Sequence, residues 1–301
     1  MKPNANIYDQ VTAKIIEQME QGIVPWQKPW EGGEGEGSFM GCISHVSGKP
    51  YSFLNQWLLG GRTGEWLTYA QIQAEGGRVK ACEKSSMVVF WKYLDKVETV
   101  TKIDEDGNET TEQVISGQIP VLKSYAVFHI DQTTGITPNF DNKPKPFGYE
   151  HEPIEAAEKV VANYVNNDGL KLFVETSTRA FYRPSTDEVH VPELNQYKVT
   201  EEFYSTLFHE LTHSTGHAKR LNRREIAGGS FFGDENYSKE ELVAEIGSAF
   251  LCQAVGIDCE KAFKNTVAYL QGWLSVLKND KKLIVQAAAK AEAAAKYILS
   301  K

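Results

Sequence analysis

A chain of 301 residues with 41% hydrophobic and 24% charged side chains, 24 Gly and 11 Pro has a globular composition and room for two domains. That excludes a disordered, collagen-like or disulfide-scaffold polypeptide. Its 32 Lys and Arg stand against 40 Asp and Glu, a net charge of −8, so nucleic-acid binding has to come from a local patch and not from a generally basic surface. The start MKPNANIYDQ lacks the apolar core of a signal peptide, and no stretch reaches membrane-spanning length. Cys42, Cys82, Cys252 and Cys259 show no paired C-x-x-C spacing. The expectation is a cytoplasmic protein with reduced thiols and no membrane partner.

Between Tyr8 and Gly22, Val11, Ile15, Ile16 and Met19 recur at helical spacing, and Gly22 and Pro25 end that helix. The run EGGEGEGS reads as an acidic loop. A short helix around Ala70 and Gln71 stops at Gly76-Gly77, and Met87–Trp91 reads as a strand. Residues 97–120 read as a hairpin turning at Asp106-Gly107, followed by a strand over 124–130. The proline-rich stretch 132–153 is the natural boundary between domains of residues 1–140 and 141–301. Beyond it the pattern predicts a helix near 154–166, a strand at Lys171–Thr176 and a hairpin turning through Pro184–Asp187. Helices follow over about 201–216, 239–255 and 259–300, the last broken near Asn279-Asp280. The fold class expected is α+β.

Within the 201–216 helix lies His209-Glu210-Leu211-Thr212-His213, an H-E-x-x-H, with Thr200 placed to cap the helix. Imidazoles at i and i+4 lie one turn apart on one face and can share a zinc ion, while Glu210 stands beside them to take a proton from water. Zinc needs a third protein ligand. The metzincin spacing fails, because position 219 is Lys219, and His217 follows Gly216 beyond the expected helix end. Glu241 and Glu245, four apart on the next helix, offer one carboxylate for the metal and one for the outer N–H of a ligand histidine. Glu241-x-x-Ala244-Glu245 resembles the gluzincin arrangement, in which the first glutamate is the ligand. Ser238-x-x-Glu241 also reads as a capping box, which would give Glu241 a purely structural role. Tyr237, Tyr182 and His217 are candidates to steady an oxyanion. The chemistry is peptide hydrolysis on an unknown protein substrate, with the 180–192 hairpin offering an edge strand to an extended peptide.

Five of the six tryptophans precede residue 98, interleaved with tyrosines, phenylalanines, lysines and arginines. Aromatic faces with nearby cations suit single-stranded nucleic acid, although aromatic residues also build cores. The chain resembles the ArdC family of plasmid antirestriction proteins over nearly its whole length. The resemblance rests on Gly22–Trp30, Tyr51–Asn55, Trp66–Gln71 and Gly76–Val79 in the first half. In the second it rests on residues 209–217 with Arg220-Leu221, on 240–245 and on the alanine-rich tail. It implies an N-terminal domain binding single-stranded DNA and a C-terminal zincin-like metallopeptidase domain, together protecting incoming plasmid DNA from restriction during conjugation. Motif and chemistry together nominate Trp26, Trp30, Asn55, Lys84 and Trp91 as DNA contacts. The chain departs from the family pattern at Phe53 and at Ala81-Cys82. Two other readings remain open: a non-catalytic coat for single-stranded DNA with a structural zinc site, and a cytosolic peptidase acting on a regulatory protein.

Overall fold

The computed structural model describes residues 6–21, 24, 41–60, 62–103, 109–140, 153–223, 226, 235–258 and 267–301. It is an α+β structure whose contacts define two compact units, Met1–Leu67 with Thr137–Lys301, and Thr68–Ile136. The packing division therefore differs from the linear one near residue 140, because the first sixty-seven residues join the C-terminal half.

The alanine-rich tail explains that joining. Helix α8 (Leu283–Leu299) packs against α1 (Ile7–Glu20), α2 (Phe53–Leu58), α4 (Pro153–Asp168), α5 (Thr200–Ser214) and α6 (Glu235–Ala254). Ala287, Ala288, Ala291, Ala294 and Ala295 are all buried, and methyl-sized side chains let several helix backbones approach one axis. The α8 side chain of Glu292 accepts from the Phe53 N–H at 3.1 Å, placing a carboxylate at the α2 N-terminus, where Ser52 supplies no side-chain cap. Helix α1 also packs on α7 (Val267–Asn279), and Thr12 Oγ1 donates to the Lys281 carbonyl at 2.6 Å. The break expected at Asn279-Asp280 is the junction between α7 and α8.

In the same unit, β1 (Cys42–Ser44) runs parallel to β2 (Gly64–Thr68). His45 Nδ1 lies 2.5 Å from Glu65 Oε2, both side chains fully buried, and Glu65 accepts the N–H groups of Asn139 and Phe140 at 3.1 and 2.8 Å. Strands β7 (Lys171–Glu175), β8 (Phe181–Arg183) and β9 (Glu188–Pro192) form a sheet in the order β7-β9-β8, parallel then antiparallel. The expected 180–192 hairpin is β8–β9, with Asp187 in the left-handed region at its turn (φ 56°) and β8 at the sheet edge.

Helix α5 buries Phe203, Leu207, Phe208 and Leu211, and it packs against β8, β9 and α6. Its N-cap is Val199, with no side-chain cap bond, and Thr200 is the first helical residue, which corrects the expected Thr200 cap. Gly247 sets the approach of α6 to α5: a Cβ there would meet Thr212 Cγ2 at 2.6 Å and Oγ1 at 2.8 Å. Ser248 Oγ donates to the Ser205 carbonyl at 2.7 Å beside it. Gly247→Ala is expected to cost about 1–3 kcal/mol, as for overpacking in a filled core, and to weaken metal binding by separating the two helices. Thermal unfolding with metal titration measures both, and unchanged values would show that Thr212 yields freely.

The second unit holds α3 (Tyr69–Ala74), capped by a reciprocal Thr68–Gln71 box, and a short antiparallel pair of β3 (Arg78–Val79) and β6 (Thr133–Thr134). Its main feature is a long antiparallel hairpin of β4 (Ser86–Ile103) and β5 (Glu109–His129). The separate strands and hairpin expected over 87–130 are thus one element, its register shifting between Lys96 and Val97. The predicted Asp106-Gly107 turn lies outside the described residues. Among the described residues no helix is long and apolar enough to cross a membrane.

Candidate metal centre

Helix periodicity puts His209 and His213 on one face of α5, and the close α5–α6 contact brings Glu241 against them. The two Nε2 atoms are 3.1 Å apart, Glu241 Oε2 is 3.4 Å from His209 Nε2, and Glu241 Oε1 is 3.4 Å from His213 Nε2. Among the described residues these three form the group of His, Cys, Asp and Glu side chains able to hold a metal ion. Four ligand atoms arranged tetrahedrally about 2.1 Å from an ion lie about 3.4 Å from one another, so the observed separations fit such an ion. The donor set, two imidazole nitrogens and a carboxylate oxygen, suits zinc and also other first-row divalent metals. Helix α6 begins at Glu235, six residues before Glu241, so Glu241 does not close the helix as a capping box would require.

Glu240 is a partner that sequence reasoning missed. Its Oε1 lies 3.4 Å from His213 Nδ1, the ring nitrogen other than the one facing Glu241, and both residues are buried. Arg223 holds Glu240 in turn, donating from Nε to Oε1 and Oε2 at 3.2 and 3.0 Å and from Nη2 to Oε1 at 2.5 Å. The same guanidinium donates to Thr215 Oγ1 at 2.6 Å and to the Thr212 carbonyl at 2.8 Å, fastening it to the end of α5. Such outer partners fix the tautomer and orientation of ligand histidines. Glu245, expected in this role, sits one turn beyond Glu241, and its charge raises the pKa of His209.

Glu210 is buried beside the histidines. His217 lies in the turn after α5, outside the metal-ligand group, its Nδ1 accepting from the Lys219 N–H at 3.2 Å. Tyr182 donates to Asp187 at 2.9 Å, and Arg220 pairs with the same carboxylate, so this phenol braces the β8–β9 turn. Tyr237 lies on α6.

The carboxylates of Glu210, Glu240 and Glu241 surround the histidines and favour positive charge there. Burial opposes charge on His213, but the Glu240 and Glu241 carboxylates outweigh it and raise its pKa to about 10. His209 is raised likewise, burial again being opposed by Glu241. Burial works against ionised Glu241, yet both histidines hold it far below the usual carboxylate range. Relative to an unfolded histidine near pH 6.5, the His213 contribution to stability is full below that value and is lost as pH rises through about 10. The Glu241 contribution is present above its unfolded value near 4.3 and is lost as pH falls through its depressed folded value. Metal uptake near pH 7.5 is therefore expected to release about one proton or more, since ligand imidazoles must be neutral. Calorimetry in buffers of different ionisation enthalpy measures this, and a buffer-independent heat would contradict it.

Of the nominated DNA contacts, Trp26 and Trp30 lie outside the described residues. Asn55 is fully buried on α2, a correction to its expected surface role. Phe53, on the same helix, is buried too and packs its ring on Phe250, so the departure at that position fills the core. Lys84 is exposed, and Trp91 is 37% exposed on β4.

Two family models cover most of the chain. The N-terminal domain of anti-restriction factor ArdC matches residues 5–128, and a zincin-like metallopeptidase family matches residues 156–290. Two Escherichia coli proteins named DNA primase TraC are 32% and 34% identical over 100% and 97% of this chain, which spans only 20% and 27% of their length. An uncharacterised Sinorhizobium fredii protein is 32% identical over 97% of this chain and 91% of its own. The crystal structure of metal-free antirestriction protein ArdC from plasmid R388 is 32% identical, covering 97% of this chain and 96% of that one, with a TM-score of 0.64. Its Mn(II)-bound form is 31% identical, covering 98% and 97%, with a TM-score of 0.68. Matched end to end with that protein at about a third identity, and by a zincin-like domain over the helices that carry the histidine–carboxylate group, the chain belongs to the ArdC antirestriction family.

Proposed function

We propose that this chain is a cytoplasmic antirestriction protein that binds single-stranded DNA through residues 1–140 and hydrolyses a protein substrate at a zinc site within residues 141–301. It would protect incoming plasmid DNA during conjugation. The observation that carries the peptidase half is the convergence of His209, His213 and Glu241 beside the buried Glu210. The DNA half rests on the ArdC N-terminal match and on aromatic and cationic side chains exposed on the β4–β5 hairpin. The manganese-bound relative makes manganese the alternative metal for this chain.

When bound, the ion supplies a Lewis acid that acidifies water and polarises a carbonyl. His209 and His213 would hold it through Nε2 and Glu241 through a carboxylate oxygen. Glu240 holds His213 through Nδ1, so that ring keeps its lone pair turned inward. Glu210 takes the proton from the attacking water and passes it to the leaving amine nitrogen. The edge strand β8, which α5 packs against, offers backbone groups to an extended peptide.

The test is hydrolysis of an unstructured protein such as casein by the zinc-loaded full chain, with and without a chelator and single-stranded DNA. A parallel experiment measures conjugation into a restricting recipient. Chelator-sensitive cleavage together with improved transfer supports the reading. Improved transfer that persists in a Glu210→Gln variant would leave antirestriction to DNA coating alone.

A further inference from the structure

The β4–β5 hairpin has two unlike faces. Side chains alternate along each strand, and cross-strand partners share a face. The register pairs Val88 with Tyr125, Phe90 with Lys123, Lys92 with Val121, Leu94 with Ile119 and Lys96 with Gly117 on one face. Met87–Ala126, Val89–Ser124, Trp91–Leu122, Tyr93–Pro120 and Asp95–Gln118 occupy the other.

The first face carries lysines between exposed aromatic rings. Phe90 and Tyr125 are each 45% exposed, with ring centroids 5.9 Å apart in an edge-to-face arrangement. Lys92 and Lys123 are exposed beside them and make no ion pair among the described residues. From Ser86 to Lys96 this face has no acidic side chain on either strand, and its first carboxylate, Glu98, pairs with Lys96 at 2.5 Å. The opposite face, from Met87 to Thr99, has no lysine or arginine, and its Asp95 accepts from Gln118 Nε2 at 3.1 Å. In a chain of net charge −8, a stretch of sheet that gathers cations and excludes acids around two open rings is complementary to a polyanion with stackable bases.

We propose that single-stranded DNA lies along this face, bases stacking on Phe90 and Tyr125 while Lys92 and Lys123 neutralise phosphates; the proposal rests on the DNA-binding reading above. It moves the aromatic contact from Trp91, on the cation-free face, to its neighbour Phe90.

Binding of a fluorescein-labelled oligo(dT) to the full-length protein, followed by anisotropy over a salt series, tests the assignment. Phe90→Ala and Tyr125→Ala should each weaken binding about tenfold or more, the effect of removing one stacked base. Lys92→Gln with Lys123→Gln should flatten the slope of log K against log salt by about 1.4, about 0.7 for each phosphate left without its lysine. Tyr93→Ala, on the opposite face at 61% exposure, should bind as wild type does. Circular dichroism confirms that each variant is folded. Wild type that binds while the Phe90 and Lys92 variants bind equally well overturns the face assignment alone and leaves the face to a protein partner. Loss as large in Tyr93→Ala as in Phe90→Ala overturns it too. Wild type that does not bind oligo(dT) overturns the DNA reading as a whole.

Discussion

Replacing Arg223 by methionine is expected to destabilise the protein by about 3–5 kcal/mol, because it leaves the buried Glu240 carboxylate without its main counter-charge. Arg223 and Glu240 are 6% and 4% exposed, and the guanidinium also satisfies Thr215 Oγ1 and the Thr212 carbonyl, so several buried acceptors lose their donor together. Burial alone would raise the Glu240 pKa, and only its bonds to His213 and Arg223 keep it below the usual carboxylate value. The double variant Arg223→Met, Glu240→Leu should recover much of that stability, since an apolar pair of similar volume carries no buried charge. It should not recover metal affinity, which is expected to fall about 10- to 100-fold when a ligand histidine loses its outer partner. Denaturant unfolding of the chelated protein and a metal competition titration separate the two effects. Equal metal affinity in the double variant and wild type would remove Glu240 from the centre.

Glu210→Gln is expected to leave metal content unchanged and to lower peptide hydrolysis by about 10²- to 10⁴-fold, the usual contribution of a positioned general base. Glutamine keeps the volume and the hydrogen-bonding shape of the buried side chain but cannot accept the proton from water. The pairing of the two readouts is what discriminates: lost metal would make Glu210 part of the binding site, and retained hydrolysis would place the base elsewhere.

The histidine pair of the candidate metal centre was legible because it is local. His209 and His213 are one helical turn apart, and the amphipathic pattern of Phe203, Leu207 and Leu211 shows which face of α5 is buried. Glu241 was legible as a residue type at a plausible distance along the chain, but its approach depends on Gly247 letting α6 close on α5. The Glu240–Arg223 pair was not legible, since its partners are 17 residues apart and nothing in their spacing signals contact. Asn55 was nominated as a DNA contact from motif and residue type, which carry no information on its burial in α2, a helix that α8 packs against. The alanine run predicted a helix, while its role as the axis on which α1, α2, α4, α5 and α6 pack emerges only from tertiary structure. The hairpin was seen in pieces because the register shift at Lys96/Val97 interrupts the alternation that identifies a strand.

The most direct test of the account is the metal content of purified wild type beside His209→Ala and Glu241→Ala, by elemental analysis after zinc loading and exhaustive dialysis. About one zinc per chain in wild type, lost in both variants, is the result the three-ligand centre predicts. Zinc retained in Glu241→Ala, or no zinc in wild type, would contradict it.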